Sequence, residues 1–241
     1  MTAVTATPVE TAETIDLAVT PLRELNQRLH DVARAGTGPR RWRILHPNGA
    51  HALACGLDAD LEVEIEGHAG YYCAGMNQRA SVHVRGSAGT GVAENMMSGR
   101  VVVDGNASQS AGATAHGGLL VIHGDASARC AISLKGADVV VRGSVGHLSA
   151  FMAQTGRLVV CGDAGEALGD SIYEARLYVA GEVAAPGADC VEKEMRADHR
   201  AELADLLAAA GLDHDTQLDP GDFRRYGSAR RLYHFTSGNT Y

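Results

Sequence analysis

Between Leu61 and Ala184 apolar and polar residues alternate in short bursts, and each burst closes on a glycine. The closing glycines are Gly67, Gly86, Gly105, Gly124, Gly143, Gly162 and Gly181, each 19 residues from the last. Two positions before each stands Ile65, Val84, Val103, Ile122, Val141, Val160 or Val179. Four before stands Val63, Val82, Val101, Leu120, Val139, Leu158 or Leu177. An apolar residue at every second position is the signature of a strand with one buried face. Two after each glycine comes Ala or Val. Seven after, in the six complete units, comes only Ala or Gly: Ala74, Ala93, Gly112, Ala131, Ala150 and Gly169.

Such column-wise identity predicts a solenoid in which each unit is one coil. Equivalent residues then stack at about 4.8 Å, the spacing of hydrogen-bonded strands. Branched aliphatic columns fill the interior. Gly and Ala columns mark corners, where the chain turns sharply or walls approach closely. The unit lacks the Leu and Asn scaffold of leucine-rich repeats and the Gly-Gly-x-Gly-x-Asp runs of calcium-binding β-rolls. Nineteen is not a multiple of six, which disfavours a left-handed hexapeptide helix. The prediction is an all-β protein: a single-stranded right-handed parallel β-helix of about seven 19-residue coils over 61–187.

The flanks read as lids. Residues 1–13 have no periodicity and are expected to form a disordered tail. Within an N-terminal cap over 14–60, Ile15 to Leu17 reads as a short strand. Thr20-Pro21 reads as the start of a helix with the apolar stripe Leu22, Leu25, Leu29 and Val32, stopped by Gly36. Trp42–Leu45 and His51–Leu57, around Pro47-Asn48-Gly49, read as a hairpin. Beyond the coils, 188–241 reads as an amphipathic helix over Asp189–Ala210 that closes the far end, then a tail. The last stretch, Phe223–Tyr241, holds five of the chain's eleven aromatics together with Arg224, Arg225, Arg230 and Arg231. Aromatics and arginine are enriched at interfaces, so the tail either packs on its own rod or, the preferred reading, docks on another protein.

Composition narrows the function. The chain has 241 residues and a net charge of −8, with Lys135 and Lys193 its only lysines. That balance argues against nucleic acid or an anionic membrane as the main partner. No apolar run reaches a membrane span, and the first basic residue is Arg23, so no signal-peptide pattern is read. The five cysteines (Cys55, Cys73, Cys130, Cys161, Cys190) are scattered without a paired spacing. Cys73 and Cys130 share a column with Val92 and Ala111 and read as core residues. A reducing, cytoplasmic location fits.

Candidate chemistry is thin. His68, His83, His116, His123 and His147 lie at different column positions and lack metal-ligand spacing, although stacking could bring His123 near His147. Asp125, Asp163 and Glu182, one after a corner glycine, read as turn residues that satisfy backbone N–H groups. Asp104, Asp125, Asp138 and Asp163 occupy three columns and no long loop surrounds them, which disfavours an independent enzyme acting on a polymer. No nucleophile elbow, P-loop or βαβ context accompanies the glycines. Catalytic, cofactor-binding and metal-binding residues are therefore all predicted to be none. Glu94 is unusual, because its column otherwise holds Gly75, Ala113, Ile132, Phe151 and Asp170. Met96 reads as core, since its column holds Ala115, Leu134, Ala153 and Ile172.

The stretch Glu94–Gly105, E-x-M-x-S-G-R-V-V-V-x-G, resembles the C-terminal GXGXG β-helix domain of the glutamate synthase large subunit. The β-helical subunit of formylmethanofuran dehydrogenase shares that architecture. The segments 67–77, 165–174 and 223–230 resemble the stand-alone GXGXG subunit of N-methylglutamate synthase, and the likeness covers roughly 14–235. The resemblance implies a scaffold without an active site of its own, in a heteromeric flavoenzyme complex of methylamine metabolism. It implies an amidotransferase-like partner and an FMN-binding partner, the latter often with an iron–sulfur cluster, and no cofactor in this chain. Met1-Thr2 lacks the N-terminal Cys of such amidotransferases. A scaffold of the formyltransferase/hydrolase type is the alternative the resemblance leaves open.

Overall fold

The computed structural model describes residues 12–216 and 218–230. It is a parallel β-solenoid. Strands β2 (Arg41–Leu45), β3 (Glu62–Ile65), β4 (Ser81–Val84), β5 (Arg100–Val103), β6 (Leu119–Ile122), β7 (Lys135–Val141), β8 (Thr155–Val160) and β10 (Arg176–Val179) pair in sequence, all parallel. From β3 onward the register keeps the 19-residue step, Val63 facing Val82, Val82 facing Val101, and so on to Leu177, with one shift at the start of β7 where Lys135 faces Thr155. A second wall carries the column Ala69, Ala88, Ala107, Ala126, Val145, Ala164 and Val183 as parallel bridges. It ends in β9 (Ala164–Leu168) beside β11 (Val183–Pro186).

The coils number eight rather than seven. β2 is not half of a hairpin; it pairs in parallel with β3, and Trp42 meets Val63, 21 positions on. His51–Gly56 follow the same turn path as later coils: the N–H of Ala74 reaches the carbonyl of Leu53, and that of Ala52 reaches Tyr71. The spacing of 21 put this coil out of phase with the repeat. The seven gaps from β2 to β10 span about 34 Å at the usual strand spacing.

The third wall is built from left-handed residues. Three positions per coil have positive φ: Tyr72, Ala74 and Met76, then Gly91, Ala93 and Asn95, and onward to Ala167, Gly169 and Ser171. Their N–H groups point alternately. Tyr72 donates forward to Thr90, Ala74 backward to Leu53, and Met76 forward to Glu94. The middle residue is always Ala or Gly and is buried. A Cβ in this conformation crowds the next carbonyl, at roughly 1–2 kcal/mol, a cost Ala bears and Gly avoids; the middle residue is small because it points into the packed interior. The corner glycines have a different cause. A Cβ on Gly124 would lie 2.8 Å from Gly105 backbone atoms, and one on Gly181 would lie 2.5 Å from the carbonyl oxygen of Gly162. Close stacking excludes a side chain there.

The ends are covered differently. β1 (Glu13–Asp16) extends the sheet beside β2, and α1 (Leu22–Ala35) buries Leu25 and Leu29 in the solenoid core. Asn26 of α1 accepts from the N–H of Ala54 (3.1 Å) and donates to the carbonyl of Ala52 (2.9 Å), closing open backbone on the first coil. Gly36 ends α1 in the left-handed conformation. Of the tail expected over 1–13, residues 1–11 lie outside the described residues, and Glu13 already belongs to β1.

The C-terminal segment departs from expectation. Cys190–Lys193 form a strand, β12, and the helix α2 begins at Ala197 and ends at Ala210. α2 does not close the end. It lies on the outward face of the main sheet, where Leu203, Leu206, Leu207 and Ala210 join Val102, Val121, Val140, Val159 and Tyr178 in a second core. Fourteen residues make a helix of about 21 Å, close to the roughly 19 Å across the four gaps from β5 to β10. The end of the sheet is closed by β13 (Arg224–Ser228), antiparallel to both β10 and β12, with Tyr226 in the solenoid core. From Phe223 to Arg230, then, the tail packs on its own rod; residues 231–241 lie outside the described residues.

Candidate functional site

Every second residue of the main sheet points outward, and this face divides in two. Over β5–β10 its column Val102, Val121, Val140, Val159 and Tyr178 is apolar and covered by α2, with Arg100, Asp138, Arg157 and Arg176 in the column beside it. Over β2–β4 it is charged and open. There Arg41 pairs with Glu62 (2.7 Å), Arg43 with Glu66 (2.6 Å), Arg85 with Glu64 (2.5 Å) and His83 with Asp104 (2.6 Å). A shallow groove of about 280 Å³ runs between Trp42, Glu62, Glu64, Ser81, His83 and Arg85. Burial raises the Asp104 carboxyl, but the His83 hydrogen bond and the charges of His83 and Arg85 outweigh it and hold it below the usual range. His123 sits beyond, near Asp104; burial pushes its imidazole down, against the pull of Asp104. No serine, threonine or cysteine among the described residues hydrogen-bonds to His83, whose partners are Asp104 and Arg85. These are paired surface charges, each pair contributing about 0–1 kcal/mol.

The other singled-out residues also have structural tasks. Asp125 and Asp163 accept the N–H groups of Ser144 and Glu182, each at 2.8 Å. They belong to a ladder one position after the corner glycines, in which His68, Ser87, Asn106 and Ser144 take the N–H of the coil above in the same way. Glu182 tops the ladder and donates only its own N–H to it. Asp138 faces Arg157 at 2.8 Å under α2. His123 precedes a corner glycine on the outward sheet face, whereas His147 lies in the turn wall, and nothing joins them. His116 is exposed. Cys73 and Cys130 are fully buried, and burial pushes the Cys130 thiol up to about 12; Cys161 rises to about 12 and Cys190 to about 11 for the same reason. Met96 is core, as its column requires. Among the described residues no group of three His, Cys, Asp or Glu side chains could hold a metal ion, and no helix is long and apolar enough to cross a membrane.

The turn wall carries the more unusual surface. Tyr71, Tyr72 and Met76 are about half exposed. Tyr71 stacks on His51, ring centroids 4.4 Å apart and 10° from parallel. Tyr72 and Met76, with Ala52, Cys55, Gly75 and Asn95, line a depression of about 430 Å³ into which Glu94 projects. Gly91 makes room for this: a Cβ there would lie 2.7 Å from a Glu94 carboxylate oxygen and 2.9 Å from the Tyr72 ring. Burial raises the Glu94 carboxyl. The oddity of Glu94 within its column thus has a place in space. Tyr71 and Tyr72 are the aromatic members of columns that continue as Thr90, Gln109, Ala128, His147 and Glu166 and as Gly91, Ser110, Arg129, Leu148 and Ala167.

These features define a class: a coiled parallel β-rod, in which the paired charges of the open flank and the ladder of side chains after the corner glycines join neighbouring coils. No protein-family model matches the chain. It is 56% identical over 225 residues, 93% of this chain and 97% of the other, to Protein GlxC of Rhizobium meliloti (strain 1021). The chain belongs to the GlxC family.

Proposed function

We propose that the chain is the non-catalytic structural subunit of a glutamate-synthase-like flavoenzyme complex, specifically of N-methylglutamate synthase type. In that reading it joins an amidotransferase-like subunit to an FMN-binding subunit, and the holo-complex makes N-methylglutamate from methylamine and glutamate. The observation that carries it is the 19-residue step from β3 to β10, interrupted only by a register shift at the start of β7 and leaving no inserted loop to wall a substrate cleft. The likeness of Glu94–Gly105 to the glutamate synthase β-helix supports the choice of complex.

The physical task of such a scaffold is spacing. Coils bonded to both neighbours resist shear, and α2 splints one flank. Partners held on the rod keep a fixed separation, so a reactive nitrogen species passes between them without equilibrating with solvent. Affinity purification of the tagged full-length chain from its native cells tests the reading. The expected eluate is yellow and contains a flavoprotein and a glutamine amidotransferase-like chain. Recovery of the chain without a flavoprotein refutes it, and amidohydrolase-type partners would point to the formyltransferase alternative.

A further inference from the structure

We propose that the depression around Glu94 seats a segment of a partner protein that presents an arginine or lysine between apolar side chains. This rests on the reading that the chain assembles with other proteins, and it names one face and the chemistry that face accepts. Glu94 is set apart from the acids of the open flank. Glu62, Glu64, Glu66 and Asp104 each have a cation within 2.7 Å or, for Asp104, a histidine. No hydrogen bond or ion pair joins the Glu94 carboxylate to another described residue. Its neighbour Asn95 is already engaged, accepting from the Thr114 hydroxyl at 2.6 Å.

The surroundings complete the pattern. Tyr72 and Met76 flank the carboxylate while leaving about half of their own surface to water. An apolar rim around an unpaired acid has two unmet demands, and one partner element answers both: apolar side chains cover the rim and a cation meets the acid. A cation seated on Glu94 also lies beside the Tyr72 ring, where the ring's negative face attracts it. Arginine, tyrosine and methionine are the residues enriched at such interfaces. The seat is stiff before binding. Tyr72 and Met76 are held at φ of 57° and 56° by hydrogen bonds to the next coil, and Tyr71 is clamped on His51. A preorganised seat loses little entropy on binding. A second copy of this chain fits poorly, since a symmetric contact would set one Glu94 against another.

The test places a photo-cross-linking amino acid at Met76 of the tagged full-length chain in native cells and maps the cross-linked peptide by mass spectrometry. The expected peptide comes from a different protein of the complex and carries Arg or Lys within an apolar run. In parallel, Glu94→Arg is expected to lower partner recovery at least tenfold and Glu94→Gln by less, with the melting temperature unchanged. Asp205→Arg, on the outer side of α2, keeps full recovery. If Glu94→Arg does not fold, reversing the charge of the mapped basic residue replaces it: that change alone should lose the complex. A cross-link to a second copy, a mapped peptide without a basic residue, or full recovery with Glu94→Arg overturns the proposal while leaving the scaffold reading intact. Absence of any complex with the unmodified chain overturns both.

Discussion

Gly124→Ala is expected to cost about 2–4 kcal/mol, for a reason visible in the stacking. The new methyl would lie 2.1 Å from the Asn106 side-chain oxygen and 2.8 Å from the carbonyl carbon and oxygen of Gly105. Comfortable carbon contacts begin near 3.5 Å, so the coils would have to part by roughly 0.7 Å at that corner. They are held there by the Gly124 N–H on Gly105 (3.1 Å). Overpacking of this kind costs about 1–3 kcal/mol. Displacing Asn106 also breaks its bond to the Asp125 N–H (2.9 Å), worth about 1 kcal/mol. In a chain of this size each kcal/mol moves the melting temperature by about 2–4 °C, so scanning calorimetry should show a fall of about 4–16 °C. Gly36→Ala is the control: it has open space around it and only its left-handed φ of 65° to accommodate, at roughly 1–2 kcal/mol. Adding Asn106→Ala to Gly124→Ala should recover only part of the loss, because the Gly105 backbone stays in place. A Gly124→Ala protein melting within about 1 °C of wild type refutes the close-stacking account. Full rescue by Asn106→Ala refutes the claim that backbone is the obstacle.

Other outcomes follow from the same structure. Leu203→Ala should cost about 2–5 kcal/mol and, in hydrogen exchange, expose the amides of α2 before those of β5–β8. Asn26→Ala removes two bonds to the first coil and should lower stability by about 1–3 kcal/mol, read as a lower urea midpoint with earlier exchange at Ala54. Glu202 is raised by burial, but its hydrogen bonds to Tyr178 and Arg176 and the charges of Arg176 and Arg157 hold its carboxyl below the usual range. Its folded pKa is depressed, so its contribution is present above about pH 4.5 and is lost as pH falls through the folded pKa. Melting temperature should therefore fall less steeply on acidification in Glu202→Gln than in wild type. Iodoacetamide at pH 8 should leave Cys73 and Cys130 unmodified in the folded chain, and tryptic mass spectrometry reads this directly.

The repeat was legible because stacking writes itself into columns. Ile65, Val84 and Val103 recur at one step because they sit above one another. Where the step changes, the reading fails: the first coil's 21 residues hid it, and a turn signal at Pro47-Asn48-Gly49 suggested a hairpin. The placement of α2 was also written in the sequence. Arg100–Val103 and Leu119–Ile122 do not alternate; they read RVVV and LLVI, as strands buried on both faces do. Glu64 and His83, in the same outward column, mark where the cover stops. The start of α2 could not be read, because Cys190–Lys193 become a strand only by pairing with β13, more than 30 residues away. The Glu94 depression needed three coils in register before its residues could be seen as neighbours.

The fit of α2 to its bed makes the helix a gauge of rod length. Its 14 residues match the width of five strands, so a coil deleted between β5 and β10 would leave a turn of helix overhanging the edge. A coil added there would leave an apolar strand bare. Whole repeats can be gained or lost without that penalty only nearer the amino terminus, where the outward face is already charged. Relatives of different length are therefore expected to differ in the coils before β5 and to agree in those after it.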